Sequence, residues 1–254
     1  MILEWRNAGF AYGAQTAVRD VSLTAGGGHL IALTGQNGSG KSTLLKLAAR
    51  VLTPQNGDVL FDNRSLGEWD RREYARQVAY LPQEPETAFP MRAVDVVVSG
   101  RAPYLGRFSW EAEADFNAAN EALAMCDAAY LSDRYLDEMS GGERKRVFLA
   151  RVLAGKPKLI LLDEPLAALD IAHVQQFSRL MRQIVDTTGA TVIFASHDLN
   201  WAAAYSDRII VMQNGEVAAD GTPSSLMSAE LVRDLFGFDA RVVTEAGRKW
   251  LLPK

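Results

Sequence analysis

The chain has a single cysteine, Cys126, among its 254 residues. An internal disulfide is excluded, and a reducing compartment fits. Histidine is scarce too: His29, His173 and His197 form no cluster at metal-ligand spacing, so nothing suggests a metal held by protein side chains alone. No apolar run approaches the ~18–20 residues that span a bilayer. The opening MILEWRNAGF, with Glu4 and Arg6, lacks the apolar stretch of a secretory signal. Contact with a membrane is therefore expected only at its surface or through a partner. Positive charge is not in excess: 27 Lys and Arg against 31 Asp and Glu leave a net charge of −4. Long-range attraction to nucleic acid has no basis in that balance, and no nucleic-acid partner is expected.

Short apolar runs at 29–34 (HLIALT), 158–162, 191–195 and 208–212 read as buried strands. Helical stretches lie between them, at 41–50 and 171–187 for example. Strands alternating with helices imply an α/β fold, a parallel sheet covered on both faces. Residues 91–154 contain no convincing strand, and 93–100, 111–126 and 141–154 read as helices. This is expected to be an all-helical insertion, entered through PQEPETAFP (82–90) with its three prolines. Asn214-Gly215 suggests a hairpin.

The stretch GQNGSGKS matches G-x-x-x-x-G-K-[ST], with Gly35, Gly40, Lys41 and Ser42 at the defining positions. Glycines let backbone N–H groups curl around phosphate oxygens, and the following helix points its N-terminus at the same anion. Lys41 is expected to reach the β- and γ-phosphates and Ser42 to bind Mg²⁺. The run LILLDE ends in Asp163 and Glu164, at the carboxyl end of a strand, where ligands bind in open α/β sheets. Asp163 is the expected Mg²⁺ partner, and Glu164 is placed to activate a water. His197 follows another strand and can hydrogen-bond the γ-phosphate or that water. Gln83 follows the short apolar run 78–81 and can touch the metal, although a solvated loop glutamine is the plainer reading. Tyr12 can stack on an adenine or simply pack a strand end.

A second glycine element is MSGGERKRV (139–147). Ser140 and Glu143 form a capping box. It starts a helix with Val147, Ala150 and Leu153 on its apolar stripe and Arg144, Lys145, Arg146 and Arg151 mostly outside it. A capped surface helix accounts for that much. It does not account for Gly141 and Gly142, since glycine in a helix costs up to about 1 kcal/mol relative to alanine. Free N–H groups at a positive helix end suggest an approaching anion.

With these motifs in this order the chain resembles the nucleotide-binding subunit of an ATP-binding cassette (ABC) transporter, over nearly its whole length. The resemblance rests on the aromatic Tyr12, a Walker A at 35–43, a Q-loop at Gln83, a signature at 140–144, a Walker B at 159–164, a D-loop at 167–170 and a switch histidine at His197. It implies a P-loop NTPase (RecA-like) core with an antiparallel β edge and an inserted all-helical signature subdomain. One domain over 1–254 is implied, divided into a core (1–85 and 155–225), a helical part (86–154) and a tail of helix and hairpin (226–254). ATP and Mg²⁺ are the implied ligands. Asn37, Gly38, Ser39 and Thr43 join Gly35, Gly40, Lys41 and Ser42 around the nucleotide. The resemblance further implies that two copies pack head to tail, so that Ser140, Gly141 and Gly142 act on the partner's ATP and Asp170 lies between subunits. Lys145 stands where glutamine is frequent.

The stretches 97–108, 169–177 and 197–223 are similar to ATPase subunits of importers for iron–siderophore complexes, haem and cobalamin. That likeness implies a place on the cytoplasmic face of the bacterial cell membrane. It also implies contact with a permease through about 84–110, with Arg101, Tyr104 and Leu105 as candidates, and an external binding protein served indirectly. An exporter subunit, or an ABC ATPase outside transport such as an iron–sulfur assembly scaffold, is the alternative.

Overall fold

The computed structural model describes residues 1–85, 89–106, 109–167, 169–237, 239–245 and 247–254. Strands β1 (Ile2–Tyr12) and β2 (Gln15–Gly26) form a hairpin, and β3 (Leu30–Thr34) runs into helix α1 (Lys41–Ala48). After β4 (Asn56–Phe61), β5 (Arg64–Ser65) and α2 (Arg71–Gln77) comes β6 (Val78–Leu81). The next described elements are helical: α3 (Ala93–Val98), α4 (Glu113–Met125) and α5 (Gly141–Ala154), with short 3-10 turns between them. The chain then alternates through β7 (Leu159–Leu162), α6 (Ile171–Thr188), β8 (Thr191–Ser196), α7 (Leu199–Tyr205), β9 (Arg208–Gln213) and β10 (Glu216–Gly221). Helices α8 (Pro223–Leu226) and α9 (Ala229–Phe236) lead to the terminal hairpin of β11 (Ala240–Glu245) and β12 (Arg248–Pro253).

Six strands form one sheet in the order β10-β9-β3-β8-β7-β6. All neighbours in it are parallel except β9 and β10, which are joined by the Asn214-Gly215 turn. The apolar runs are continuous because this sheet is buried on both faces. Successive side chains serve different cores. Leu30, Ala32, Val192, Phe194, Ile160 and Leu162 point into one, with α3, α4, α5 and α6. Ile31, Leu33, Ile193, Ala195, Leu159 and Leu161 point into the other, with α1 and β1.

Three findings add to the sequence expectation. The antiparallel part is more than an edge, since β2-β1-β4-β5 is a separate four-stranded sheet. Its strands show no clean alternation in the sequence because β1 is bulged against β2. Asn7 and Asp20 sit at φ 48 and 47 there, bridged by a 2.7 Å hydrogen bond from Asn7 Nδ2 to Asp20 Oδ1, and the alternation of side chains is broken.

Second, α5 is no surface helix beyond its first turns. Phe148, Leu149, Val152 and Ala154 are buried along with the expected stripe, because α3 and α4 both pack against it.

Third, Arg101 and Tyr104 turn inward. Arg101 Nε donates to Asp115 Oδ1 at 3.0 Å and Tyr104 donates to the Gly155 carbonyl at 2.8 Å, with the Arg101 guanidinium 3.8 Å from the Tyr104 ring centre. Residues 86–88 of the linker, 107–108 of the stretch 84–110 and residue 168 of the turn 167–170 lie outside the described residues.

Candidate functional site

Gly35 and Gly40 shape the phosphate loop because neighbouring backbone leaves no room for a side chain. Gly35 has φ 144, and a β-carbon there would lie 2.2 Å from the Met212 carbonyl oxygen. Gly40 has φ 103, and its β-carbon would lie 2.3 Å from that of Ala17. Gly40 is also the N-cap of α1 and brings no side chain to that end, so the first-turn amides are left for an anion. Asn37 and Gly38 are exposed at the rim, while Ser39 and Thr43 are buried.

Lys41 is folded back over its own loop. Its ammonium donates to the carbonyls of Gly35 and Gln36, at 2.9 Å each, and the residue is 4% exposed. Burial pushes its pKa down, opposed by the charges of Glu164 and Asp163. Ser39 Oγ is buried with no hydrogen-bond partner. A buried hydroxyl without a partner is costly, and a phosphate oxygen in the loop is the kind of acceptor that satisfies it.

The carboxyl ends of four parallel strands deliver the rest. Ser42 Oγ, in the first turn of α1 where the loop after β3 ends, donates to Asp163 Oδ1 at 2.8 Å. Tyr80, on β6, donates to Asp163 Oδ2 at 3.2 Å. Burial and the charge of Asp163 push the Tyr80 phenol pKa up, so it remains a donor. Glu164 follows at φ 45, a left-handed conformation that is strained for a residue with a side chain and recurs at functional sites. Gln83 Nε2 donates to Glu164 Oε2 at 3.2 Å, and His197 Nδ1 lies 3.9 Å from the same oxygen. His197 is held between the end of β8 and the cap of α7, where Asp198 accepts from the Trp201 N–H at 2.9 Å. The paired Ser42 and Asp163 oxygens are hard donors of the type Mg²⁺ takes.

Other expected residues lie elsewhere. Tyr12 is exposed at the end of β1, its ring edge-on to Phe10 with centroids 4.9 Å apart. Ser140 caps α5 as expected: Glu143 N–H donates to its Oγ at 3.3 Å, and Ser140 N–H donates to Glu143 Oε2 at 2.8 Å. No hydrogen bond among the described residues joins the Ser140–Gly142 turn to the loop 35–43. That turn instead borders a cleft of about 480 Å³ lined by Gln83, Gly141, Lys145 and Ala167, among others. Asp170 caps α6, accepting from the His173 N–H at 2.9 Å.

Tyr80 and His173 neighbour the expected residues and are only faintly marked in the sequence. Tyr80 left one signal, a phenol inside a short buried strand. His173 left another, its D-x-x-H spacing from a helix cap.

The family model described as ABC transporter matches residues 18–167. The chain belongs to the ABC transporter family. It is an ATPase of that class, and ABC ATPase domains bind ATP, act as dimers and work with permease subunits in import systems. Among its relatives, the hemin import ATP-binding protein HmuV of Rhodococcus jostii (strain RHA1) is 40% identical over 95% of this chain and 82% of its own. The petrobactin import ATP-binding protein YclP of Bacillus subtilis (strain 168) is 32% identical over 96% of both. Among solved structures, the dimeric bacterial ABC transporter cassette MJ0796 superposes with a TM-score of 0.77 at 27% identity, covering 87% of this ATPase and 98% of that chain. No helix among the ATPase's described residues is long and apolar enough to cross a membrane.

Proposed function

We propose that this ATPase energises a bacterial importer for iron carried as haem or as a siderophore complex. The observation that carries its chemistry is the meeting of Ser42 with Asp163 and of Gln83 and His197 with Glu164 beside one phosphate loop. The hemin and petrobactin import relatives support the cargo class.

In this reading Lys41 leaves the carbonyls of Gly35 and Gln36 for the β- and γ-phosphates. The loop amides and Gly35, Asn37, Gly38, Ser39, Gly40 and Thr43 cradle the phosphates, and Tyr12 stacks on the adenine. Ser42, Asp163 and Gln83 hold Mg²⁺, which when bound neutralises charge on the phosphate oxygens. Glu164 orients or deprotonates the attacking water, and His197 and Lys41 stabilise charge at the γ-phosphate. Ser140, Gly141, Gly142 and Asp170 act on the nucleotide of a second copy, packed head to tail. ATP sandwiched between the two copies drives closure of the dimer, and that closure is passed to the permease.

The permease docks through about 84–110 on the cytoplasmic side. Phe89 and Trp110 are 74% and 89% exposed at either end of that stretch and suit an apolar partner. Arg101, Tyr104 and Leu105 are the candidate contacts, the first two steadied by their hydrogen bonds to Asp115 and Gly155.

Deletion followed by uptake assays for haem and ferric siderophores tests the cargo. Complementation with Glu164→Gln is expected to leave uptake lost. Pull-down from detergent-solubilised membranes is expected to recover a polytopic membrane protein. If none co-purifies, the transport reading falls and an ABC ATPase outside transport takes its place.

A further inference from the structure

Two side chains tie the start of α5 to the turn before α6 within one chain. The first is His173. Its Nδ1 lies 2.8 Å from Asp170 Oδ1, and the same oxygen accepts the His173 backbone N–H at 2.9 Å. A carboxylate only accepts, so Nδ1 carries the proton and the ring is held from its own helix end. The opposite edge of the ring faces Gly142. A β-carbon on Gly142 would sit 2.9 Å from His173 Cδ2 and 3.2 Å from Nε2. The imidazole therefore fills the place of a side chain at 142, whereas a β-carbon on Gly141 would meet nothing within 4 Å. Leu169, Phe177 and Cys126 close the surroundings, leaving a gap of about 30 Å³.

The second is Lys145, one helical turn beyond Gly142. It is half-buried and donates to the Ala167 carbonyl. The glycine turn and the Asp170 turn are thus in contact at two points. Neither contact is accounted for by the capping box, which uses only Ser140 and Glu143.

We infer that His173 is a positioning residue for ATP hydrolysis. Held by Asp170, it sets where the Gly141–Gly142 backbone stands relative to the Asp170 turn, and Lys145 supports the same arrangement. The two elements then meet the facing subunit as one surface. This rests on the reading that Ser140–Gly142 and Asp170 act on a second copy's nucleotide. A ring that only filled space would matter for folding and not for turnover.

The test uses the full-length chain with Mg²⁺ and ATP. His173→Ala is expected to lower kcat by between about ten- and a hundredfold, the scale for a misplacement of an ångström. KM for ATP and monomer affinity for trinitrophenyl-ATP should stay within about twofold, because the chain's own phosphate loop is untouched. His173→Asn, whose amide can donate to Asp170, is expected to recover most of the rate. In a Glu164→Gln background, His173→Ala should need more protein to form the ATP-dependent dimer.

Thermal unfolding provides an arm that does not need turnover. Gly142→Ala should lower the midpoint, and adding His173→Ala should restore part of it, since the clash is with the ring. Parental kcat in His173→Ala, equal losses in the Ala and Asn variants, or additive midpoints in the double variant would each overturn the role of His173. Failure of the Glu164→Gln parent itself to dimerise with ATP is a different result, which removes the two-copy reading and this inference with it.

Discussion

Ser42 and Asp163 are 121 residues apart in sequence, yet the hydroxyl of one donates to the carboxylate of the other at 2.8 Å. Asp163 is 3% exposed, and its other oxygen accepts from Tyr80. Removing the Ser42 hydroxyl leaves a buried carboxylate oxygen without its partner. Ser42→Ala is therefore expected to cost about 1–3 kcal/mol of stability, read by urea denaturation without nucleotide. The same variant should need more Mg²⁺ for half-maximal hydrolysis, because one hard oxygen is lost. Unchanged Mg²⁺ dependence would remove Ser42 from the metal's ligands.

Glu164 sits between Gln83 and His197, and glutamine keeps its shape but cannot take a proton. Glu164→Gln should lower kcat by about 10²–10⁴-fold while leaving trinitrophenyl-ATP binding intact. Gel filtration with ATP should then show a dimer that the parent chain consumes by hydrolysis. Persistent hydrolysis with only monomer present would assign the water-activating role elsewhere.

Gly141 offers a variant in which stability and activity should part. It is the first residue of α5, and no neighbour occupies the space of a β-carbon there. Gly141→Ala is expected to raise stability by up to about 1 kcal/mol, from helix propensity alone. If this backbone meets a partner's phosphate, hydrolysis should fall all the same. A variant that is both more stable and fully active would leave Gly141 without a role in the reaction.

The capping box carries a pH signature. The Glu143 carboxyl is held below its ordinary value of 4.5, chiefly by the Ser140 backbone N–H and then by the Ser140 hydroxyl. Its folded pKa lies below its unfolded one. Its contribution is complete above 4.5 and is lost as pH falls through the lower folded value. Urea midpoints taken from pH 6 down to pH 3 should fall more steeply for the parent than for Glu143→Gln. Parallel curves would mean that the carboxylate adds nothing to the cap.

The parts of this molecule legible in one dimension are those whose cause is local. The runs of β3, β7 and β8 are apolar throughout because both faces of the sheet are covered. The phosphate loop and the Ser140 cap are written in consecutive residues. The parts that were not legible depend on approach in space. The β1–β2 hairpin hides its period behind bulges at Asn7 and Asp20. Arg101 and Tyr104 look free until α4 brings up Asp115 and the end of α5 brings up Gly155. His173 acquires significance only when Gly142 is seen against its ring. Tyr80 reads as one more apolar strand residue until β7 sets Asp163 beside it.

The strand order has a consequence for how the molecule is made. Strand β8 lies between β3 and β7, but a ribosome delivers it after both. Until residues 191–196 emerge, β3 and β7 have no common neighbour, and the phosphate loop and its acidic residues belong to separate, unclosed pieces. A nascent chain halted at about residue 190 would leave β3 without either neighbour and β7 with one side open, a hazard for aggregation. It would also be unable to hydrolyse nucleotide. Catalytic competence therefore arrives with nearly the last quarter of synthesis, when the helical part is already complete. Arrested chains of increasing length should acquire nucleotide binding abruptly once β8 has cleared the exit tunnel, rather than when the phosphate loop first appears.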